Sequence, residues 1–362
     1  MRKALLTVTA LLFVFMLSGC LNQTQLPERK RFIGTMTEAG GTLYVATANM
    51  RGVREWRSEL WGVDVATASA RKLAVSRQLT KFIRVDSAGN ILASVPRKPD
   101  TRSRNRDAFE AWLYDKANGF HGRRLGEGQL VGAPVPDAAL TSRTFLDPSA
   151  LRDDKRPATD DPVAELRTLD GASTTYLELL PYNSNSAPTE LGHWKGMVGF
   201  TQQGCWIVSQ GHDESGVYEL TGSRERGWRL RKTELQASSP VAISLSGEMA
   251  TVSVTTGTLH VLKLARPTSG PATPLGAGRV DEMVWSHDGR TLAVSIEGSS
   301  ALWKIMEINP TKHLSRILWT SSEKPRALTP VGPSAFAIVT GSANEKQTVV
   351  MLPGKKALFE WH

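Results

Sequence analysis

The side chains able to carry acid–base, nucleophilic or metal chemistry are sparse in this sequence, and few of them stand at working distances from one another. Of the seven histidines, His121, His193, His212, His260, His287, His313 and His362, no two form a His-x-x-x-His pair, the spacing that would put two imidazoles on one face of a helix around a metal ion. The densest cluster is His212-Asp213-Glu214. Ser209-Gln210-Gly211 before it and Ser215-Gly216 after it are turn formers, so the cluster reads as a solvated hairpin loop. His287 lies in Ser286-His287-Asp288-Gly289 and reads as a turn residue. The acidic pairs Asp153-Asp154 and Asp160-Asp161 lack the Asp-x-Asp-x-Asp-Gly order of a calcium loop. Cys205, followed by Trp206-Ile207-Val208, reads as a small buried apolar residue. These patterns assign no catalytic residue, no metal and no cofactor.

The formal net charge is +9, and cations gather at Arg97, Lys98, Arg102, Arg104 and Arg106, at Arg123-Arg124, and between Arg224 and Lys232. The first group and the acids Asp153, Asp154, Asp160 and Asp161 mark two candidate binding loops of opposite charge. The acids fall within a Pro-rich stretch, residues 131–171, expected to be a long loop inserted into one structural unit. Such runs are solvated surface or docking surface for polymers and protein faces of the opposite charge.

The N-terminus carries a different chemistry. Arg2 and Lys3 precede an apolar run from Ala4 to Leu17, which ends in Leu17-Ser18-Gly19-Cys20. A cationic start and an apolar segment too short for a comfortable span are the marks of an export signal. The last four residues resemble the lipobox of bacterial lipoproteins. That resemblance implies that Leu17, Ser18 and Gly19 are read by the signal peptidase, that residues 1–19 are removed, and that Cys20 receives a diacylglyceryl group and an amide-linked chain such as palmitate. Residues 20–31 would be the lipidated start and a tether. Leu21, in place of an Asp, points to the outer membrane facing the periplasm in a Gram-negative cell, and to the outer face of the plasma membrane in a Gram-positive one. An exported chain is not expected to bind nucleic acid.

The elements that would position any site come from a repeat. A Gly or Pro turn leads into a short apolar run at Gly41, Gly89, Gly204, Gly247, Gly289 and Pro333, the last three being 42 and 44 residues apart. A second, alternating run follows each, centred on Asp64, Asp115, Glu219, Lys263, Glu307 and Met351, with a weaker copy at Tyr176-Leu177-Glu178-Leu179. Units of about 40 to 50 residues with several short strands predict an all-β propeller over residues 32–362, with seven blades of four antiparallel strands. A pair of β-sandwiches is the alternative.

Trp285-Ser286-His287-Asp288-Gly289-Arg290-Thr291-Leu292-Ala293-Val294 resembles the TolB-type propeller repeat, in which Asp-Gly makes the inner hairpin turn. Ser244-Leu245-Ser246-Gly247 and Val85-Asp86-Ser87-Ala88-Gly89 are degenerate copies. Propellers carry many activities. No Gly-x-Ser-x-Gly elbow occurs, and the repeat runs to the last residue, so the prolyl-peptidase group, whose TolB-like propeller is joined to an α/β-hydrolase domain, is not expected. The sequence therefore leads to a lipid-anchored, non-catalytic binding or scaffold subunit with an envelope protein partner. The alternatives are an envelope enzyme of lactonase or polysaccharide-lyase type working in the channel, and a glycan or small-ligand sensor reusing some of the ten tryptophans. The enzyme alternative requires His and acidic side chains from several blades to converge at one mouth of the channel.

Overall fold

A computed structural model describes residues 30–51, 55–76, 82–86, 88–96, 109–135, 138–142, 177–182, 187–191, 196–201, 204–209, 216–223, 226–235, 240–253, 257–264, 272–276, 278–298 and 301–362. Among them the strands form seven four-stranded antiparallel sheets, each built from four strands in chain order. The first holds β1 (Lys30–Ala39), β2 (Thr42–Arg51), β3 (Glu55–Asp64) and β4 (Ala70–Ser76). The second holds β5 (Phe82–Val85), β6 (Ile91–Pro96), β7 (Phe109–Asp115) and β8 (His121–Glu127). The third holds β9 (Gln129–Val135), β10 (Ala138–Ser142), β11 (Leu177–Pro181) and β12 (Thr189–Glu190), and the fourth β13 (Gly196–Thr201), β14 (Gly204–Ser209), β15 (Gly216–Ser223) and β16 (Gly227–Lys232). Then come β17 (Val241–Ile243), β18 (Glu248–Ser253), β19 (Thr258–Lys263) and β20 (Thr273–Pro274). The sixth comprises β21 (Arg279–Trp285), β22 (Leu292–Glu297), β23 (Trp303–Asn309) and β24 (Leu314–Ser321). The last comprises β25 (Arg326–Val331), β26 (Ala335–Thr340), β27 (Gln347–Leu352) and β28 (Lys356–Trp361).

The first strands β1, β5, β9, β13, β17, β21 and β25 lie against one another in that order, and β25 comes back against β1. They therefore line the axis, and the sheets radiate from it as the blades of a propeller. Burial falls from the second strand outwards. β18, β22 and β26 are almost wholly buried (LAVSIE in β22), β7 and β23 alternate, and the fourth strands β8 and β16 are mostly exposed. A second strand is covered on both faces by neighbouring blades, so it reads as an unbroken apolar run, whereas a strand nearer the rim is covered in part and alternates. That gradient produced the two kinds of repeat in the sequence.

The rim is tied by a recurrent cross-strand pair. A glutamate on the third strand meets a cation on the fourth in Glu59–Lys72 at 2.7 Å, Glu110–Arg124 at 2.9 Å, Glu219–Arg231 and Glu307–Arg316. Fourth strands β4, β8, β24 and β28 each pair through a bulge, which twists the open edge away from further strand pairing.

Strands β9 and β10 pass through the start of the stretch in which the sequence predicts a loop from residue 131. Pro134 obscured them, but β9 is the edge strand of its sheet, where a residue without an N–H is tolerated.

Among the described residues the ring closes without exchanging strands between the first and last sheets. Its seam is polar and buried instead. The side chain of Gln347, fully buried, accepts the Ile33 amide at 2.8 Å and donates to the Arg31 and Ser342 carbonyls at 3.0 and 3.1 Å. Asn344 accepts the Arg31 amide at 2.9 Å. In the middle of the seam the Thr329 hydroxyl donates to the Met36 carbonyl.

Candidate functional site

The turn between β21 and β22 is built by its own side chains. The Ser286 hydroxyl donates to Asp288 Oδ1 at 2.6 Å and accepts the Thr291 amide at 3.1 Å, and Asp288 Oδ1 accepts the Arg290 amide at 3.0 Å. Gly289 takes φ +67°, a left-handed conformation that glycine adopts at little cost. Ser244 and Asp86 hold the equivalent turns of other blades, by accepting the Glu248 amide and the Ala88 and Asn90 amides. What sets the β21–β22 turn apart is His287. The neighbouring Asp288 amide is fixed to the Pro333 carbonyl of the next blade at 3.1 Å, and His287 Nε2 lies 2.7 Å from Oε2 of Glu38, near the end of β1.

Glu38 is a held group. Its side chain is 5% exposed, Oε1 accepts the Gly41 amide at 2.7 Å, and Oε2 accepts the Gly332 amide at 3.4 Å. Burial alone would raise its pKa, but the His287 hydrogen bond, the Gly41 amide, the His287 charge and the Gly332 amide outweigh burial and hold the carboxyl below its ordinary range. His287 belongs to the sixth sheet, Gly332 to the turn of the seventh and Glu38 to the first, so three blades meet here. A side-chain contact that skips a blade can be made only near the axis, where the first strands converge. The pair therefore lies at one mouth of the channel.

A second carboxyl lies further along β21. Burial pushes Glu282 up to about 7, the Leu328 amide at 3.2 Å pulls it down, Asp281 raises it and Lys324 lowers it. Glu282 is paired across the strands with Ser295 of β22, so both side chains face the seventh sheet. Asp281 is ion-paired with Lys324 at 2.8 Å.

At the rim, Trp61, Phe359 and Trp361 pack together, with ring centroids 5.5 to 6.4 Å apart. They line an open groove of about 620 Å³ between the first and last blades, with Ala68, Ala70, Glu360 and His362. Lys72 Nζ sits 5.0 Å above the Trp61 ring.

Among the described residues, His287 is the histidine singled out by the sequence that the structure brings against an acid of another blade, and it does so from the turn position the sequence gives it. Cys205 is buried, which pushes its thiol pKa far up. Leu17, Ser18, Gly19 and Cys20, the cations Arg97, Lys98, Arg102, Arg104 and Arg106, the acids Asp153, Asp154, Asp160 and Asp161, and the His212 cluster lie outside the described residues. Among the described residues no three His, Cys, Asp or Glu side chains gather in a way that could hold a metal ion. Sequence reasoning missed Glu38 and Glu282. Neither sits in a motif, and the Gly40-Gly41 turn after Glu38 is its only local marker.

Neither a family model nor a curated protein matches the chain. Solved structures do. A prolyl endopeptidase matches with TM-score 0.60 and 13% identity, over 96% of this chain and 52% of that one. The β-propeller domain of the Trilobed protease from Pyrococcus furiosus, described as having an open velcro topology, matches with TM-score 0.60 and 9% identity, over 93% of this chain and 97% of that one. Puromycin hydrolase matches with TM-score 0.57 and 13% identity, over 90% of this chain and 52% of that one. Several of the structures matched are peptidases, and Hsv2 from Kluyveromyces lactis matches as well, with TM-score 0.51 and 12% identity, over 88% of this chain and 92% of that one. At these identities the likeness establishes the fold, an all-β propeller of four-stranded antiparallel sheets, and TolB from Acinetobacter baumannii is among the other propellers matched. The chain spans about half the length of the two full peptidases. The expectation of a non-catalytic scaffold is overturned by this set of neighbours. It rested on the lack of a nucleophile elbow, and in peptidases built this way the propeller is not where such an elbow would be sought.

Proposed function

We propose that this chain is a protease-related propeller of seven blades, one per sheet, that receives extended peptides for hydrolysis in the cell envelope. The observation that carries the reading is the match over 93% of the chain to the propeller domain of a protease. On this reading the envelope partner expected from the sequence is the hydrolase that performs the cleavage, and the channel with its Glu38–His287 mouth is where peptide is handled. Anchoring through Cys20, after removal of residues 1–19, belongs to the same proposal and is supported by the Leu17-Ser18-Gly19-Cys20 sequence. The test is titration of the full chain into fluorescein-labelled unstructured peptides, followed by anisotropy. Saturable binding that a folded protein of the same mass does not compete away is expected. A flat titration at millimolar chain would reject the reading. Intact-mass measurement of the membrane-extracted protein tests the anchor. A chain starting at an acylated Cys20 is expected, and an unmodified Cys20 with the leader attached would refute it.

A further inference from the structure

The two mouths of the channel differ in where the chain enters the ring. β1 runs from Lys30 to Ala39 and turns back into β2 at Gly40-Gly41. Glu38 therefore lies near the end of β1, beside the β21–β22 and β25–β26 turns, and Lys30 lies at the opposite end of the same strand. That start is fixed in place. The Arg31 amide is held by Asn344 in the turn between β26 and β27, and the Arg31 guanidinium donates to the His362 carbonyl, just past the end of β28, at 2.8 Å. Both partners stand at the end of their sheet remote from the Glu38–His287 mouth, so everything that precedes Lys30 is delivered to the other mouth.

The chain between Cys20 and Lys30 is short, ten residues. Ten residues span at most about 35 Å when fully drawn out, and as a coil they average about 18 Å from end to end. To lay the Glu38–His287 mouth on a surface that holds Cys20, the segment must first cross a sheet from its first strand to its fourth, three strand spacings or about 14 Å. It must then climb the seven residues of β4, about 23 Å more. That route of about 37 Å exceeds the full reach before side chains and turns are added. The channel offers little better, because β1 alone, with ten residues, is about 33 Å long. With the other mouth turned to the surface, the coil's average length suffices.

We propose that the lipid on Cys20 holds this propeller with the mouth at the start of β1 toward the membrane, and that the Glu38–His287 mouth opens away from it. The interaction surface is the end of the ring that carries the start of β1, the β26–β27 turn and the end of β28, and its partner is a phospholipid surface. The inference rests on the anchoring at Cys20 given above and adds which end of the channel stands open to peptides and to a hydrolase. The experiment places one fluorophore at either end. Glu345→Cys changes the β26–β27 turn and Arg290→Cys the β21–β22 turn, both at exposed positions, while Cys205 is buried with its thiol pKa pushed far up and stays unlabelled. Each full-length variant is extracted from membranes, checked for acylation by intact mass, labelled with bimane maleimide and reconstituted into phosphatidylethanolamine–phosphatidylglycerol vesicles whose headgroups carry a nitroxide quencher.

The label at position 345 is expected to lose several times more of its fluorescence than the label at position 290. Inserting a Gly/Ser stretch of about 20 residues between Cys20 and Lys30 lets the coil pass around the rim, and should bring the two losses together. Equal quenching at both ends of an acylated chain with its own tether, or stronger quenching at position 290, would overturn the inference and leave the anchoring standing. A difference that survives the longer tether unchanged would overturn the tether as its cause. A chain that carries no lipid on Cys20 and stays off the vesicles would overturn the anchoring reading and the inference with it.

Discussion

Replacing Gln347 by Leu tests whether the ring is held shut by buried polar contacts. The volume is nearly conserved, so the cost comes from hydrogen bonding rather than from a cavity. Three bonds are lost, but the groups left behind are not equally orphaned. The Arg31 carbonyl keeps the Asn344 amide at 3.0 Å, and the Ser342 carbonyl keeps the Glu345 amide at 3.3 Å. The Ile33 amide has its bond to Gln347 at 2.8 Å in a buried setting and is left with no partner. An unsatisfied buried N–H costs about 1–3 kcal/mol, and each of the other two bonds about 0.5–1.5 kcal/mol. The expected loss is therefore about 4 kcal/mol, concentrated at the boundary between the first and last blades. Equilibrium urea unfolding followed by tryptophan fluorescence measures it, and hydrogen exchange should show the amides of β1 and β27 losing protection ahead of those of β14 and β18. A loss below about 1 kcal/mol, or uniform loosening of all blades, would show that the seam does not depend on this residue.

Two further substitutions probe the same architecture. Glu282 is raised from an ordinary 4.5 to about 7, so below 4.5 both folded and unfolded chains hold its proton and its effect on stability is nil. Between 4.5 and 7 the unfolded chain gives up the proton first, and folding is penalised by an amount that levels off above 7 at no more than about 3 kcal/mol. Glu282→Gln should therefore flatten the fall in melting temperature across that window, and a wild-type profile that the variant reproduces would remove Glu282 as its cause. Gly289→Ala places a Cβ 2.5 Å from Ser246 Oγ on a backbone at φ +67°, whereas Gly40→Ala at φ +59° meets open space. Both incur the left-handed penalty of about 1–2 kcal/mol, and Gly289→Ala should cost about 1 kcal/mol more in thermal unfolding. Adding Ser246→Ala should recover part of that excess, and no recovery would mean the collision is not its source.

The parts of this molecule that could be read in its sequence are those where one residue type answers to one physical demand. Second strands β6, β14, β18, β22 and β26 announce themselves as apolar runs because each is covered on both faces, and the Asp288-Gly289 turn because few other residues allow its backbone. β10, Ala138–Ser142, escaped because no glycine leads into it and small residues fill it. The functional reading failed differently, since the absence of a nucleophile elbow does not tell a scaffold propeller from the propeller of a peptidase.

Ring closure and the mouth escaped for a deeper reason. Gln347 stands between Lys346 and Thr348 and Glu38 before two glycines, contexts that read as surface, yet Gln347 is fully buried and the Glu38 side chain nearly so. Each is buried because closing the circle brings the start of the chain against its end. No window along the sequence contains both partners of such a contact. A ring assembled from local units thus hides its most specific polar residues at the one junction that is not local, and in this chain that junction and the channel mouth share a strand, β1.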